Sequence, residues 1–183
     1  MPQFHKLGET ELFRGSLVQV ATARFAGPDG IEFERDVVHH PGAVVVVPLS
    51  ASGTVIMVRQ YRAAVGGDLL EVPAGKRDVH GEPPEVTARR ELAEEVGCQA
   101  GRLDLLARFY NSPGFTDELS WLYLAQDLLT VPSDRQGAEE QHMTVEEIRL
   151  ADVPSMIATG EIVDAKSIIG LCLALRSAEA TTG

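Results

Sequence analysis

The chain is expected to fold as a mixed α/β sandwich with a small antiparallel β-sheet appended at its N-terminus. Two strands around a glycine-proline turn fill much of the first forty residues, and apolar strand segments then interleave with a few helices. A single well-punctuated helix, closed by prolines at one end and a glycine at the other, sits in the middle of the chain.

The elements follow in order. Residues 17–25 and 31–39 read as a hairpin around Gly27-Pro28-Asp29-Gly30, with Ile31, Phe33, Arg35 and Val37 alternating along the second strand. Residues 43–49 are almost continuously apolar, which suits a strand covered on both faces and marks the start of the main core. Residues 54–61 and 69–73 are further strands, set apart by Ser52-Gly53 and Gly66-Gly67. The helix covers residues 83–96, because Pro83 and Pro84 suit a first turn and Gly97 a C-terminal cap; its apolar stripe is Ala88, Leu92 and Val96. Residues 103–110, 119–125 and 143–150 are later strands, and 132–141 is a polar loop. Residues 152–160 form a short helix, and Asp164 caps a last, largely buried helix over 165–177. The division this implies is a β appendage over 1–40 and a main domain over 41–183.

Bulk properties narrow the function. With 16 Lys and Arg against 27 Asp and Glu, the net charge of −11 argues against nucleic acid or an anionic membrane as partner. A small anionic substrate then needs a local cation. No segment has the apolar length of a membrane span, and residues 1–15 are polar with no signal-peptide hydrophobic stretch, so a cytoplasmic protein is expected. Cys98 and Cys172 form no metal or redox spacing and are read as free, buried thiols. His39, His40, His80 and His142 lack paired ligand spacing and read as solvated or hydrogen-bonded.

The chemistry concentrates at the end of the central helix. Glu91, Glu94 and Glu95 share one face, at spacings that bring side chains together, and they crowd the negative end of the helix dipole. Repulsion of this kind calls for a positive partner. A divalent cation meets the need, and magnesium takes oxygen ligands while keeping waters that a substrate's phosphates replace. Arg90 reads as a partner orienting Glu94 at i+4 in preference to ordinary surface charge. Upstream, Glu71-Val72-Pro73-Ala74-Gly75 leaves a strand into a loop whose glycines let backbone approach a ligand.

Gly75, Glu82, Arg90, Glu91, Leu92, Glu94, Glu95, Gly97 and Cys98 together resemble the signature of the Nudix hydrolases. One departure occurs: six residues separate Gly75 from Glu82 where the family has five. The extra residue falls in a loop and leaves the helix register intact. Arg59-Gln60-Tyr61-Arg62, the Glu71–Gly75 stretch, Arg35-Asp36-Val37-Val38-His39-His40-Pro41-Gly42 and Ser112-Pro113-Gly114-Phe115-Thr116-Asp117-Glu118 are similar to the ADP-ribose pyrophosphatase branch.

The resemblance implies a Nudix-type α/β/α sandwich with a mixed sheet. It implies magnesium, with manganese as substitute, held by the Ala74 carbonyl, Glu91 and Glu95, with Glu94 as a second-tier ligand or base. Glu140, or else Glu139, is implied to orient or deprotonate the attacking water. Arg62 and then Arg35 are the candidates for phosphate contacts. Phe115 and Glu118 are candidates for the adenine or ribose wall, while Trp121 and Tyr123 read as core. The expected activity is hydrolysis of ADP-ribose to AMP and ribose 5-phosphate, and the resemblance implies a homodimer whose N-terminal sheet exchanges or packs across the two-fold and contributes to the partner's site. Two rivals stand beside it: another nucleoside diphosphate derivative such as a nucleotide sugar, and a Nudix-fold nucleotide sensor without catalysis.

Overall fold

Apolar runs and glycine punctuation place ten strands and four α-helices among the described residues. The structure, a computed structural model, describes residues 3–135 and 138–182, with the side chains of 138, 139 and 179–182 outside the description. The strands are β1 (His5–Arg14), β2 (Gln19–Ala26), β3 (Glu32–His39), β4 (Ala43–Pro48), β5 (Thr54–Arg62), β6 (Gly67–Glu71), β7 (Ala74–Lys76), β8 (Cys98–Tyr110), β9 (Leu119–Thr130) and β10 (Thr144–Arg149). The helices are α1 (Pro84–Val96), α2 (Ala138–Gln141), α3 (Val153–Ala158) and α4 (Ala165–Thr182). They make three sheets, ordered β1-β2-β3, β10-β5-β6 and β7-β4-β9-β8. The expected mixed α/β class is the one observed.

The chain divides into two compact units. The first comprises Met1–Gly42 and Phe109–Ser120. Its sheet is an antiparallel meander with β2 central, and Ala21 and Ala23 of β2 are fully buried. The 109–120 segment is bound to the end of β3: Val38 N–H donates to the Phe115 carbonyl at 2.7 Å, and Asp117 N–H donates back to the Val38 carbonyl at 3.2 Å.

The second unit comprises Ala43–Arg108 and Trp121–Gly183, and β4 is its axis. All six residues of β4 are buried, as expected of a strand covered on both faces. Alternation divides its side chains. Val44 and Val46 join Ala88 and Leu92 of α1, together with Cys98, Tyr123 and Ala125, in one core cluster. On the other face, α4 packs so closely that a Cβ on Gly170 would lie 2.8 Å from Val47 and 3.0 Å from Leu122. Helix, sheet and helix thus form the three layers.

α1 ends at Val96 as expected and begins one residue later than expected, with Pro83 as its extended N-cap. Pro84 opens it, and Gly97 closes it in the left-handed conformation, φ 64°, donating to the Ala93 carbonyl at 3.1 Å. Asp164 caps α4: its Oδ2 accepts from Ser167 N–H at 2.8 Å and from the Ser167 hydroxyl at 2.7 Å.

Other readings are corrected. Residues 5–14 form a strand where none was expected, and β8 and β9 are longer than predicted. The stretch read as a polar loop, 132–141, contains α2. Cys98 is a buried free thiol, but Cys172 is exposed. On α4 the buried face runs through Ser167, Gly170, Leu171 and Ala174. One position past Leu171 turns about 100° around the helix, which carries Cys172 off that face. Among the described residues no helix is long and apolar enough to cross a membrane.

Candidate active site

The signature residues converge within the second unit. α1 packs against β4 and β7, so its carboxylate edge lies over the short Ala74–Lys76 strand. Glu91 and Glu95 are buried, and Glu94 is half-buried. Helix geometry explains the burial: both acids flank Leu92, which is itself fully buried.

Contact with the backbone of β7 is close. The Ala74 N–H donates to Glu95 Oε2 at 3.1 Å. A Cβ placed on Gly75 would overlap the carboxyl group of Glu91. The φ of Gly75 is not positive, so its role is steric: any residue with a Cβ would force the Glu91 carboxyl group to move from where it stands.

Arg90 binds the three other acids. Its Nη1 donates to Glu91 Oε1 at 2.9 Å and to Glu94 Oε2 at 3.1 Å, while Nη2 reaches Glu82 Oε2 at 3.4 Å. The expected i+4 link to Glu94 is present, with Glu91 and Glu82 added. Glu82 also accepts from the Thr87 hydroxyl at 2.7 Å. The loop with the extra residue thus delivers Glu82 to the helix in contact with Arg90.

Electrostatics mark the pair as strained without a cation. Burial pushes the Glu95 carboxyl up to about 8, with the charge of Glu91 adding to the rise and the Ala74 N–H opposing it. Burial likewise pushes Glu91 up to about 7, against the attraction of Arg90. The charge of Glu140 raises both, so Glu140 stands near enough to act on the pair. The last turn of α1 carries no basic residue. A divalent cation would remove this penalty, and the donors are all hard oxygens of the kind magnesium takes. Among the described residues no three His, Cys, Asp or Glu side chains converge to hold a metal unaided. The ion would complete its shell with backbone carbonyl, water and phosphate oxygens, as magnesium usually does.

The remaining predicted residues are distributed as follows. The Glu139 side chain lies outside the described residues. Arg62 donates both Nε and Nη2 to Glu71 at 2.7 Å, and Glu71 is 1% exposed, with Lys166 at 3.8 Å. Arg62 is close enough to Glu95 to lower its pKa. Trp121 and Tyr123 pack with the α1 core cluster, as expected. Arg35, Phe115 and Glu118 belong to the first unit. There Arg35 and Phe115 line a cavity of about 300 Å³ with Phe4, Phe25 and Phe33, and the Arg35 guanidinium stands 4.8 Å from the Phe33 ring centre. Glu118 lies instead 3.9 Å from His40.

Some residues at the site escaped the sequence reading. Glu71 is one: an acid between Leu70 and Val72 is compatible with burial, but its partner Arg62 is visible only in the structure. Nothing in the sequence connects Arg77 to Trp121, whose ring its guanidinium covers at 4.2 Å.

Two buried glutamates at the end of a helix, Glu91 against Gly75 and bound by Arg90, Glu95 bound by the Ala74 N–H, reproduce in three dimensions the arrangement of the signature. Residues 38–168 match the NUDIX domain, and the chain belongs to the Nudix family. It is a Nudix hydrolase with every signature glutamate in place. It is 36% identical over 161 residues to an ADP-ribose pyrophosphatase of Bacillus subtilis, covering 88% of this chain and 86% of the relative. It is 38% identical over 168 residues to one of Mycobacterium tuberculosis, covering 92% and 81%. In fold it is similar to the solved structure of an ADP compounds hydrolase, with a TM-score of 0.85 and 21% identity over 98% of this chain and 96% of that one.

Proposed function

We propose that this chain hydrolyses the diphosphate of ADP-ribose, with magnesium bound, to AMP and ribose 5-phosphate. The observation that carries the reading is the pair Glu91 and Glu95 buried against Gly75 and Ala74. The names of the two pyrophosphatase relatives support the choice of substrate.

Glu91, Glu95 and the Ala74 carbonyl would hold the ion, with Glu94 in the second tier. Magnesium when bound supplies neutralisation of the diphosphate and polarisation of its phosphorus. Arg90 keeps Glu91 and Glu94 in place through its Nη1 fork. Glu140 accepts the proton of the attacking water, with Glu139 the alternative base. The water oxygen bonds to one phosphorus as the bridging P–O bond breaks, and the other phosphate leaves with the bridging oxygen. Positioning and charge stabilisation supply most of the acceleration, as phosphoryl transfer requires. Arg35 and Arg62 are assigned to phosphate oxygens, and Phe115 and Glu118 to the adenine or ribose end. Two thiols without a disulfide and the net charge of −11 suit a cytoplasmic enzyme.

The N-terminal unit exposes Leu7, Leu12, Phe13, Leu17 and Ile31, which supports a homodimer built on this sheet. Sedimentation of the purified protein tests that arrangement: a dimer is expected, and a monomer at assay concentration overturns it. For the activity, the protein is incubated with ADP-ribose and nucleotide sugars, with magnesium or with a chelator, and the products are separated. AMP from ADP-ribose, formed only with the metal, is expected. Preference for a nucleotide sugar reassigns the substrate, and saturable binding without turnover makes the chain a sensor.

A further inference from the structure

The loop that carries the extra residue has one inward member. Lys76, Asp78, Val79, His80 and Gly81 are exposed, whereas Arg77 is half-buried. Its guanidinium lies 4.2 Å from the Trp121 ring centre, and its Nη2 donates to the Glu82 carbonyl at 3.2 Å. Its Nε is buried with no hydrogen-bond partner. An orphaned donor of that kind is costly, and a surface arginine with no other role would turn to water. Stacking on the indole and the bond to the carbonyl offset the cost, and both depend on the flat guanidinium.

Glu82 carries the effect onward. Its carboxylate accepts from Thr87 and Arg90, and Arg90 donates to Glu91 and Glu94. A chain of contacts therefore leads from Trp121 on β9, through Arg77 and the main chain of Glu82, to the proposed metal carboxylates.

We propose that Arg77 is a positioning residue: stacked on Trp121, it closes the six-residue loop so that Glu82 meets Arg90 in the register that presents Glu91 and Glu94. The inference rests on the reading of Glu91 and Glu95 as metal ligands. It accounts for how the longer loop keeps the signature functional. An arginine that merely packs on an aromatic would leave metal binding untouched.

Trp121 is the chain's one tryptophan, so its fluorescence reports the stack directly. The experiment compares wild type, R77A and R77K by tryptophan emission, acrylamide quenching and calorimetric titration with Mn²⁺. R77A is expected to shift emission to longer wavelength and quench more readily. It is also expected to weaken Mn²⁺ binding by about tenfold or more, the scale of lost groups that support a metal ligand. R77K keeps the charge but has no planar face; it is expected to follow R77A, and it carries the test if R77A does not fold.

A wild-type Mn²⁺ affinity in R77A overturns the proposal, whatever Trp121 does. Weakened binding with unchanged Trp121 emission also overturns it, as does R77K behaving like wild type. A wild-type protein that binds Mn²⁺ yet leaves every diphosphate intact removes the proposed activity alone, and the same affinities still decide the role of Arg77. A wild-type protein that binds no Mn²⁺ removes the metal assignment and this proposal with it.

Discussion

Gly75 and Glu91 show how one side chain's absence makes room for another's charge. Three glutamates at i, i+3 and i+4 were legible in the sequence because helical spacing alone puts them on one face. The reason for Gly75 was not, since a steric need arises only when α1 is laid across β7. G75A is expected to displace the Glu91 carboxylate and lower turnover by about a hundredfold, the scale of an ångström's misplacement at a reacting centre. Steady-state rates at saturating magnesium check this; near-normal turnover would show that Glu91 tolerates displacement. Arg62 was legible as a positive group near the site, while its pairing with Glu71 appears only when β5 and β6 lie side by side.

A second residue-scale prediction concerns His39. Its Nδ1 lies 2.6 Å from Asp117 and its Nε2 lies 3.2 Å from Glu9. The bond to Asp117 raises its pKa, burial opposes the rise, and Glu9 adds to it. Asp117 is held below its usual range despite burial, chiefly by His39. The imidazolium's stabilisation is complete below the ordinary histidine value of about 6.5 and is lost as pH rises through the raised value. The carboxylate's share is present above its ordinary value and is lost as pH falls through the depressed one. Melting temperatures of wild type and H39Q should therefore differ most just below the ordinary histidine value of about 6.5 and converge as pH rises through the raised one. A gap independent of pH would show that the pairing contributes no charge.

Among the elements, α1 was readable at both ends because proline and glycine act through the backbone, whatever surrounds them. β1 was not readable. Nine of its ten residues are exposed, and its register against β2 shifts between Lys6 and Gly8 and again between Glu11 and Phe13. A strand with no buried face and two irregularities has no period of two to find. β7 escaped for another reason: it is three residues long and passes through a glycine. The α4 layer yields a stability prediction. G170V would drive methyl groups into Val47 and Leu122 and should cost about 1–3 kcal/mol, the usual range for overpacking. Thermal or denaturant unfolding measures it, and an unchanged midpoint would mean that α4 lifts away freely.

For the whole molecule, the class of fold followed from strands interleaved with few helices, and β4 fulfilled it as the fully buried axis of the second unit. Membership of the first unit did not follow, because Phe109–Ser120 joins it through main-chain bonds to Val38 that have no sequence signature. A net charge of −11 makes the cation the central element of the account: an acidic protein acting on an acidic substrate needs one at the point of reaction. The most direct measurement is the rate of AMP release from ADP-ribose by E95Q and wild type at saturating magnesium, with folding checked by circular dichroism. E95Q is expected to keep the fold and lose at least about a hundredfold in rate, within the range for groups that stabilise a charged transition state. A folded E95Q releasing AMP at close to the wild-type rate would contradict the assignment of the Glu91 and Glu95 pair as the catalytic metal site.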